Sequence, residues 1–256
     1  MSFSIEQLQF FFCILVRVSA FIYAAPFFSL KNVPQRVKIG LSLALAVIIF
    51  ETITYTPMNE TTMLQYSLFL GKEAIAGLIM GYFANIGYHI LALAGQMMDM
   101  EIGFSMVNEF DPVTSAQVTI TSNLYSYAVM LMLLVTNMHH YILKAIIDSF
   151  EVLPVGNFEI KPAIASAMIQ FIVDYFVIAF RIILPLFTAL LMVNTILAIL
   201  AKVAPQMNMF VIGMQLKVFI GLIVLVFMIS MIPSVADFIF NEMMGMLKQA
   251  IYYMKT

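Results

Sequence analysis

The stretch Asp99–Gln117, DMEIGFSMVNEFDPVTSAQ, holds four of the chain's fourteen acidic residues and no basic one. Long apolar runs flank it on both sides. A polar segment containing Gly103 and Pro112 leaves backbone N–H and C=O groups without partners in hydrocarbon, so it cannot face lipid. It must lie in water, be wrapped by protein or line a passage. Asp111-Pro112 reads as a helix start, with Asp111 capping and Pro112 in the first turn. Gly103 and Asn108 permit turns before it. Phe104 and Phe110 are unfavourable in water. The residues alone leave two readings open: a plug or gate set against a pore axis, and a buried connector between subunits.

Outward from this segment the chain is mostly oil. Its 256 residues are 63% hydrophobic and 10% charged, against about 25% charged in a soluble domain. The class is therefore an integral membrane protein or an obligate membrane complex in contact with lipid. No strand-like alternation appears, so the expected fold is all-α and membrane-associated. A net charge of −2 and the lack of long basic runs give nucleic acid no purchase. Trp is absent, so an interfacial belt would rest on Tyr and Phe. Cys13 is the single cysteine, which excludes a disulfide framework. MSFSIEQLQF has no positive start, so the first apolar run is expected to remain as a helix.

Six apolar segments suggest spans: Leu8–Leu30, Ile39–Ile53, Leu64–Met98, Thr119–Thr136, Ala163–Val203 and Phe210–Val235, the last stopping at Pro233. Asn137–Pro162 is a connector with a short helix, and Asp237–Thr256 is an amphipathic tail. The expected organisation is one unit: N-terminal helices over 1–98, a central loop over 99–118, C-terminal helices over 119–236 and the tail over 237–256. Leu64–Met98 and Ala163–Val203 would reach about 50 and 60 Å as straight helices, against a hydrocarbon core of about 30 Å. Tilts, kinks or broken hairpins are expected, with Pro185 and the Gly77/Gly81/Gly87 series as places for them. Gly77 and Gly81 also suit close helix packing. Six alternating spans put the basic connectors at Lys31/Arg36/Lys38 and Lys202/Lys217 on the cytoplasmic side.

No phosphate-binding loop, zinc-protease motif or nucleophile elbow is present. His139 and His140 are adjacent, so on a helix they diverge and make a poor chelate. No catalytic, cofactor or metal residue stands out, and the chain is not expected to be an enzyme. Ionisable residues inside apolar runs are costly unless paired or wetted. Arg17, Lys72, Glu73, His89, Asp174, Arg181 and Lys217 qualify. Apart from His89, they are expected to be buried or intersubunit charges, since the acids do not line up as a relay. Met97, Met98, Met100 and Met106 crowd the polar segment, either as core filler or as a deformable seal.

Four stretches together resemble the FliR family of the flagellar type III export gate. Residues 17–46, RVSAFIYAAPFFSLKNVPQRVKIGLSLALA, carry its Arg…Ala-Phe…Pro-Phe-Phe…Val-Pro-x-Arg pattern. Residues 94–117, AGQMMDMEIGFSMVNEFDPVTSAQ, carry Gly-Gln…Gly-Phe-Ser…Asp-Pro. Residues 197–218, LAILAKVAPQMNMFVIGMQLKV, carry Ala-Pro-Gln-Met-Asn and Gly-Met-x-Leu-Lys. SFEVLPVG at 149–156 is also family-like. The resemblance implies a core subunit of long kinked helical hairpins in a hetero-oligomeric gate at the flagellar basal body, in the bacterial inner membrane. It implies FliP-like and FliQ-like partners, FlhB-like and FlhA-like export components, and passage of unfolded flagellar proteins. It implies that Met106, Val107, Asn108, Glu109, Phe110, Asp111, Pro112, Val113 and Thr114 plug the pore, with Phe110 leading. It also implies that some apparent spans sit above the bilayer in the assembled gate. Asn208–Gly213 favours the flagellar branch over the injectisome counterpart. A stand-alone small-molecule or ion transporter, and a scaffold that never touches substrate, are the competing readings.

Overall fold

The computed structural model describes residues 4–30, 32–54, 62–104, 109–111, 116–156, 159, 161–206 and 208–255, with the backbone alone for 109–111, 116–118 and 209. The chain order is α1 (Ile5–Ala24), α2 (Gln35–Thr52), α3 (Met63–Ile102), β1 (Glu109–Asp111), β2 (Ala116–Val118), α4 (Ile120–Val135), α5 (Met138–Val152), α6 (Ala163–Val203), α7 (Met209–Ile229) and α8 (Ile232–Met254). The architecture is helical, as expected, apart from one small antiparallel ladder between β1 and β2. Three-residue strands are too short to show an alternating pattern in sequence.

Local chemistry sets the helix ends. Ser4 caps α1: its hydroxyl accepts from the Gln7 N–H, and Gln7 Oε1 accepts from the Ser4 N–H, each at 3.2 Å. This reciprocal box satisfies two groups that a helix start leaves open. α1 stops at Ala24, short of the expected Leu30, because Pro26 pushes Ala25 into an extended conformation (φ −70, ψ 146). α4 and α5 are separated at Asn137, which adopts a left-handed conformation (φ 58, ψ 21). α7 ends at Ile229, earlier than expected, and Pro233 lies inside the first turn of α8, where its missing N–H costs nothing.

Against the expected six spans, the described residues hold fewer candidates. Among the described residues, four helices are long and apolar enough to cross a membrane: Ile5–Ala24, Met63–Ile102, Ala163–Val203 and Phe210–Ile229. α4 and α5 taken together make a fifth candidate. α2 is absent from this set; its 18 residues contain Arg36, Lys38 and Glu51. The two over-long segments are not broken hairpins but uninterrupted helices of 40 and 41 residues, and α6 continues through Pro185. One proline removes a single backbone bond, and an apolar setting offers the neighbouring groups no better partner than the helix.

The residues cluster into two compact units, one from Met1–Gly87, Asn137–Phe171 and Phe240–Thr256, the other from Tyr88–Thr136 and Ile172–Ile239. In the first, α1 packs on the N-terminal part of α3. A Cβ on Gly77 would meet the Arg17 carbonyl and Ala20, and one on Gly81 would meet the Phe21 carbonyl and Ala24, so only glycines allow this approach. Phe50 of α2 stacks its edge against Phe11 at 5.8 Å. In the second unit, α6 and α7 form a hairpin in which Leu197 meets Gly213, and Ile102 at the end of α3 lies against Gly221.

Candidate functional site

α3 continues through Ile102, so Asp99–Ile102, the first four residues of the central polar segment, are helical. The helix ends at Gly103, whose φ of +97 lies in the region that glycine enters without strain. The Gly103 N–H donates to the Asp99 carbonyl at 3.0 Å. Beyond it, Glu109, Phe110 and Asp111 pair with Val118, Gln117 and Ala116. The expected helix start at Asp111-Pro112 is thus replaced by a strand, and α4 begins at Ile120. A residue before proline is pushed to extended geometry whether it caps a helix or ends a strand, so the dipeptide alone could not separate the two. Met106, Val107, Asn108, Pro112, Val113 and Thr114 lie outside the described residues, and Glu109, Phe110 and Asp111 are described by backbone alone.

Asp99 anchors the two stems of this segment. It is fully buried. Its Oδ2 accepts from the Thr121 N–H at 2.9 Å, and its Oδ1 accepts from the Thr121 hydroxyl. Thr119 occupies the N-cap position of α4 but its side chain makes no capping bond. The cap comes instead from a carboxylate on α3, a negative charge set at the positive end of a helix. One turn earlier on α3, a Cβ on Gly95 would strike the Ser122 backbone. The absence of a side chain there lets α3 and α4 approach closely enough for the bond. The sequence names no partner for Asp99; its one signal is an acid one helical turn after a glycine. A cavity of about 320 Å³ adjoins the same end of α3, with Glu101, Gly103, Asn194 and Lys217 on its walls.

A second buried polar cluster lies in the other unit. Arg17 Nε donates to Glu73 Oε2 at 2.5 Å, with both side chains fully buried. Arg17 Nη1 donates to the Leu153 carbonyl at 2.9 Å, and Glu73 Oε1 accepts the Gly156 N–H at 2.8 Å. The guanidinium carbon stands 4.2 Å from the centre of the Phe150 ring, a cation–π arrangement. Gly156 has a φ of +77, so the turn after α5 needs glycine to aim its N–H at the carboxylate. The cluster therefore ties α1, α3 and that turn together, each charge neutralised by the other.

The remaining singled-out charges are placed differently. Lys72 is exposed, its ammonium 5.8 Å from the Phe69 ring, although Glu73 beside it is buried. Arg181 is exposed, and Asp174 and Lys217 are half-buried. The His139 and His140 rings lie 4.2 Å apart at a 53° tilt. Among the described residues no group of three or more His, Cys, Asp or Glu side chains is arranged to hold a metal ion.

Comparison with known proteins places the sequence in a family. Residues 8–243 match the family described as bacterial export proteins, family 1. The chain is 33% identical over 236 residues to the flagellar biosynthetic protein FliR of Bacillus subtilis, covering 90% of each. It is 26% identical over 249 residues to FliR of Escherichia coli, covering 96% of this chain and 94% of that one. It is 30% identical over 226 residues to FliR of Borreliella burgdorferi, covering 83% and 79%. A family match over most of the chain and a relative at this identity agree, and several helices are long and apolar enough to cross a membrane: the chain belongs to the FliR family of bacterial export proteins.

Proposed function

We propose that this membrane protein is a non-enzymatic core subunit of a flagellar type III export gate, and that its central segment closes the pore. It works with FliP-like and FliQ-like subunits and with FlhB-like and FlhA-like components at the basal body, in the bacterial inner membrane. Unfolded flagellar proteins pass through the assembly. Met106–Thr114 forms the plug and Phe110 leads it. Exposed Lys72 and Arg181, with half-buried Asp174 and Lys217, meet neighbouring subunits.

The observation that carries this reading is the double anchorage of a polar segment inside an apolar chain. A loop that merely joined two helices would not need a buried carboxylate across its base and a glycine to admit it. Fixed stems define where the loop projects. The need for partners is supported by α7: only 17% of its apolar window is buried within the chain, and so large an apolar face calls for lipid or another protein. The flagellar assignment follows the names of the relatives.

Deleting Met106–Thr114 tests the plug. The assembled complex in a planar bilayer should then pass ions in the resting state, where the parent complex is closed. An unchanged closed conductance in a fully assembled deletion complex overturns the plug.

A further inference from the structure

The amphipathic C-terminal helix has no part in the gate as described, yet it helps build a groove in its unit. α5 and α8 enclose a space of about 470 Å³, within the range of small-ligand sites. Its floor is apolar, with Ala145 and Leu247 buried. Its rim carries Lys144, Lys248 and Lys255, all exposed, with Asp148 as the one acid among the lining residues. Three lysines against one aspartate give a local charge of +2, in a chain whose net charge is −2. Tyr141 and Tyr252 stand exposed beside them, at 57% and 70%.

We propose that this groove binds an anionic phospholipid, with its phosphate on the lysines and an acyl chain along the apolar floor. The occupant must satisfy both halves of the site. A free anion has no use for an apolar wall, and a neutral lipid has none for three cations. Lys248 and Tyr252 are one turn apart on α8, and Lys255 follows directly after the helix, its N–H donating to the Tyr252 carbonyl at 3.2 Å. Lysine stems can lie along apolar surface while their ammonium groups reach the headgroup level. Exposed tyrosines suit the same depth, and basic recesses on amphipathic helices recognise anionic headgroups. The inference depends on the chain's place in a membrane and is independent of the plug.

The test uses the full-length chain in nanodiscs of phosphatidylglycerol or of phosphatidylcholine, then native mass spectrometry of lipid retained after release into detergent. The expected result is selective retention of phosphatidylglycerol. Retention should fall on the order of 100-fold in the triple variant K144Q/K248Q/K255Q, at roughly fivefold per lysine. Asp148→Asn should raise it, which keeps the test informative if the triple variant folds poorly. Equal retention of both lipids, an unaltered triple variant with an intact melting transition, or displacement of the lipid by glycerol phosphate alone overturns the proposal. So does a triple variant that loses a second copy of the chain, or a co-purifying polypeptide, in place of lipid.

Discussion

Glu73 and Asp99 are both fully buried carboxylates on α3, yet one faces a guanidinium and the other a threonine. Glu73 reaches 56 residues back to Arg17 and 83 residues forward to Gly156. Asp99 reaches 22 residues forward to Thr121 and makes both of its bonds there. The first cluster joins distant segments and needs a full opposite charge to be buried with it. The second spans only the base of the central segment, and the first turn of α4 supplies enough positive character for a lone carboxylate. In each case a glycine one turn away on α3 permits the approach: Gly77 follows Glu73 by four residues and Gly95 precedes Asp99 by four. The difference assigns two tasks along one helix. The Arg17–Glu73 cluster holds a scaffold together, and the Asp99–Thr121 bond sets where a loop begins and ends.

The largest expected effect separates these tasks. Glu73→Gln removes the carboxylate charge that faces buried Arg17 and should cost about 3–5 kcal/mol, read from unfolding of the purified full-length chain. Replacing both Arg17 and Glu73 by Met should recover most of that loss. Recovery should stay incomplete, because the Leu153 carbonyl and the Gly156 N–H lose the partners they have now. A loss below about 1 kcal/mol for Glu73→Gln would place the pair among weakly coupled surface ion pairs and erase the contrast with Asp99.

The same contrast explains what the sequence could reveal. Arg17 and Glu73 are legible as buried charges, because each is an ionisable group in an apolar run. Their pairing is not legible, since nothing in a linear text links positions 56 residues apart. Asp99 is harder still: its partner is a hydroxyl and a backbone N–H, which leave no charge pattern. The helices themselves are readable from apolar length, and α6 falls on Ala163–Val203 as expected. Span number is less readable, because α2 looks apolar by run length but contains three charges. The β1–β2 ladder escapes because Asp111-Pro112 fits a helix start as well as a strand end.

Next in size is Gly95→Ala. The new Cβ would meet Ser122 backbone atoms rather than a yielding side chain, so α3 and α4 must separate. The expected cost is about 3 kcal/mol. Gly40→Ala is the control, since nothing lies within 4 Å of its would-be Cβ, and it should stabilise α2 by about 0.5–1 kcal/mol. Asp99→Asn is expected to cost about 2 kcal/mol, because both hydrogen bonds lose their charged acceptor at the start of α4, although the amide oxygen can keep the Thr121 N–H and its NH2 can donate to the Thr121 hydroxyl. If the plug depends on its stems, this variant should also raise resting conductance in complexes that still assemble. A stable, tightly closed Asp99→Asn complex would make the bond a fold element without a part in closure.

The smallest effect probes which half of Thr121 holds the carboxylate. Thr121→Val deletes the hydroxyl and keeps the N–H that caps α4, so it should cost about 1 kcal/mol, the net worth of one hydrogen bond. The N–H cap has no side chain to delete, so its share must come from a cycle with Asp99→Ala. If Asp99 acts chiefly as a cap, Asp99→Ala remains costly in the Thr121→Val background, by about the 1 kcal/mol that caps contribute. If its cost vanishes there, the hydroxyl is the true partner. The lone carboxylate would then be held by a side chain alone, unlike Glu73, which also accepts the Gly156 N–H, and the helix start would have no share in placing the loop.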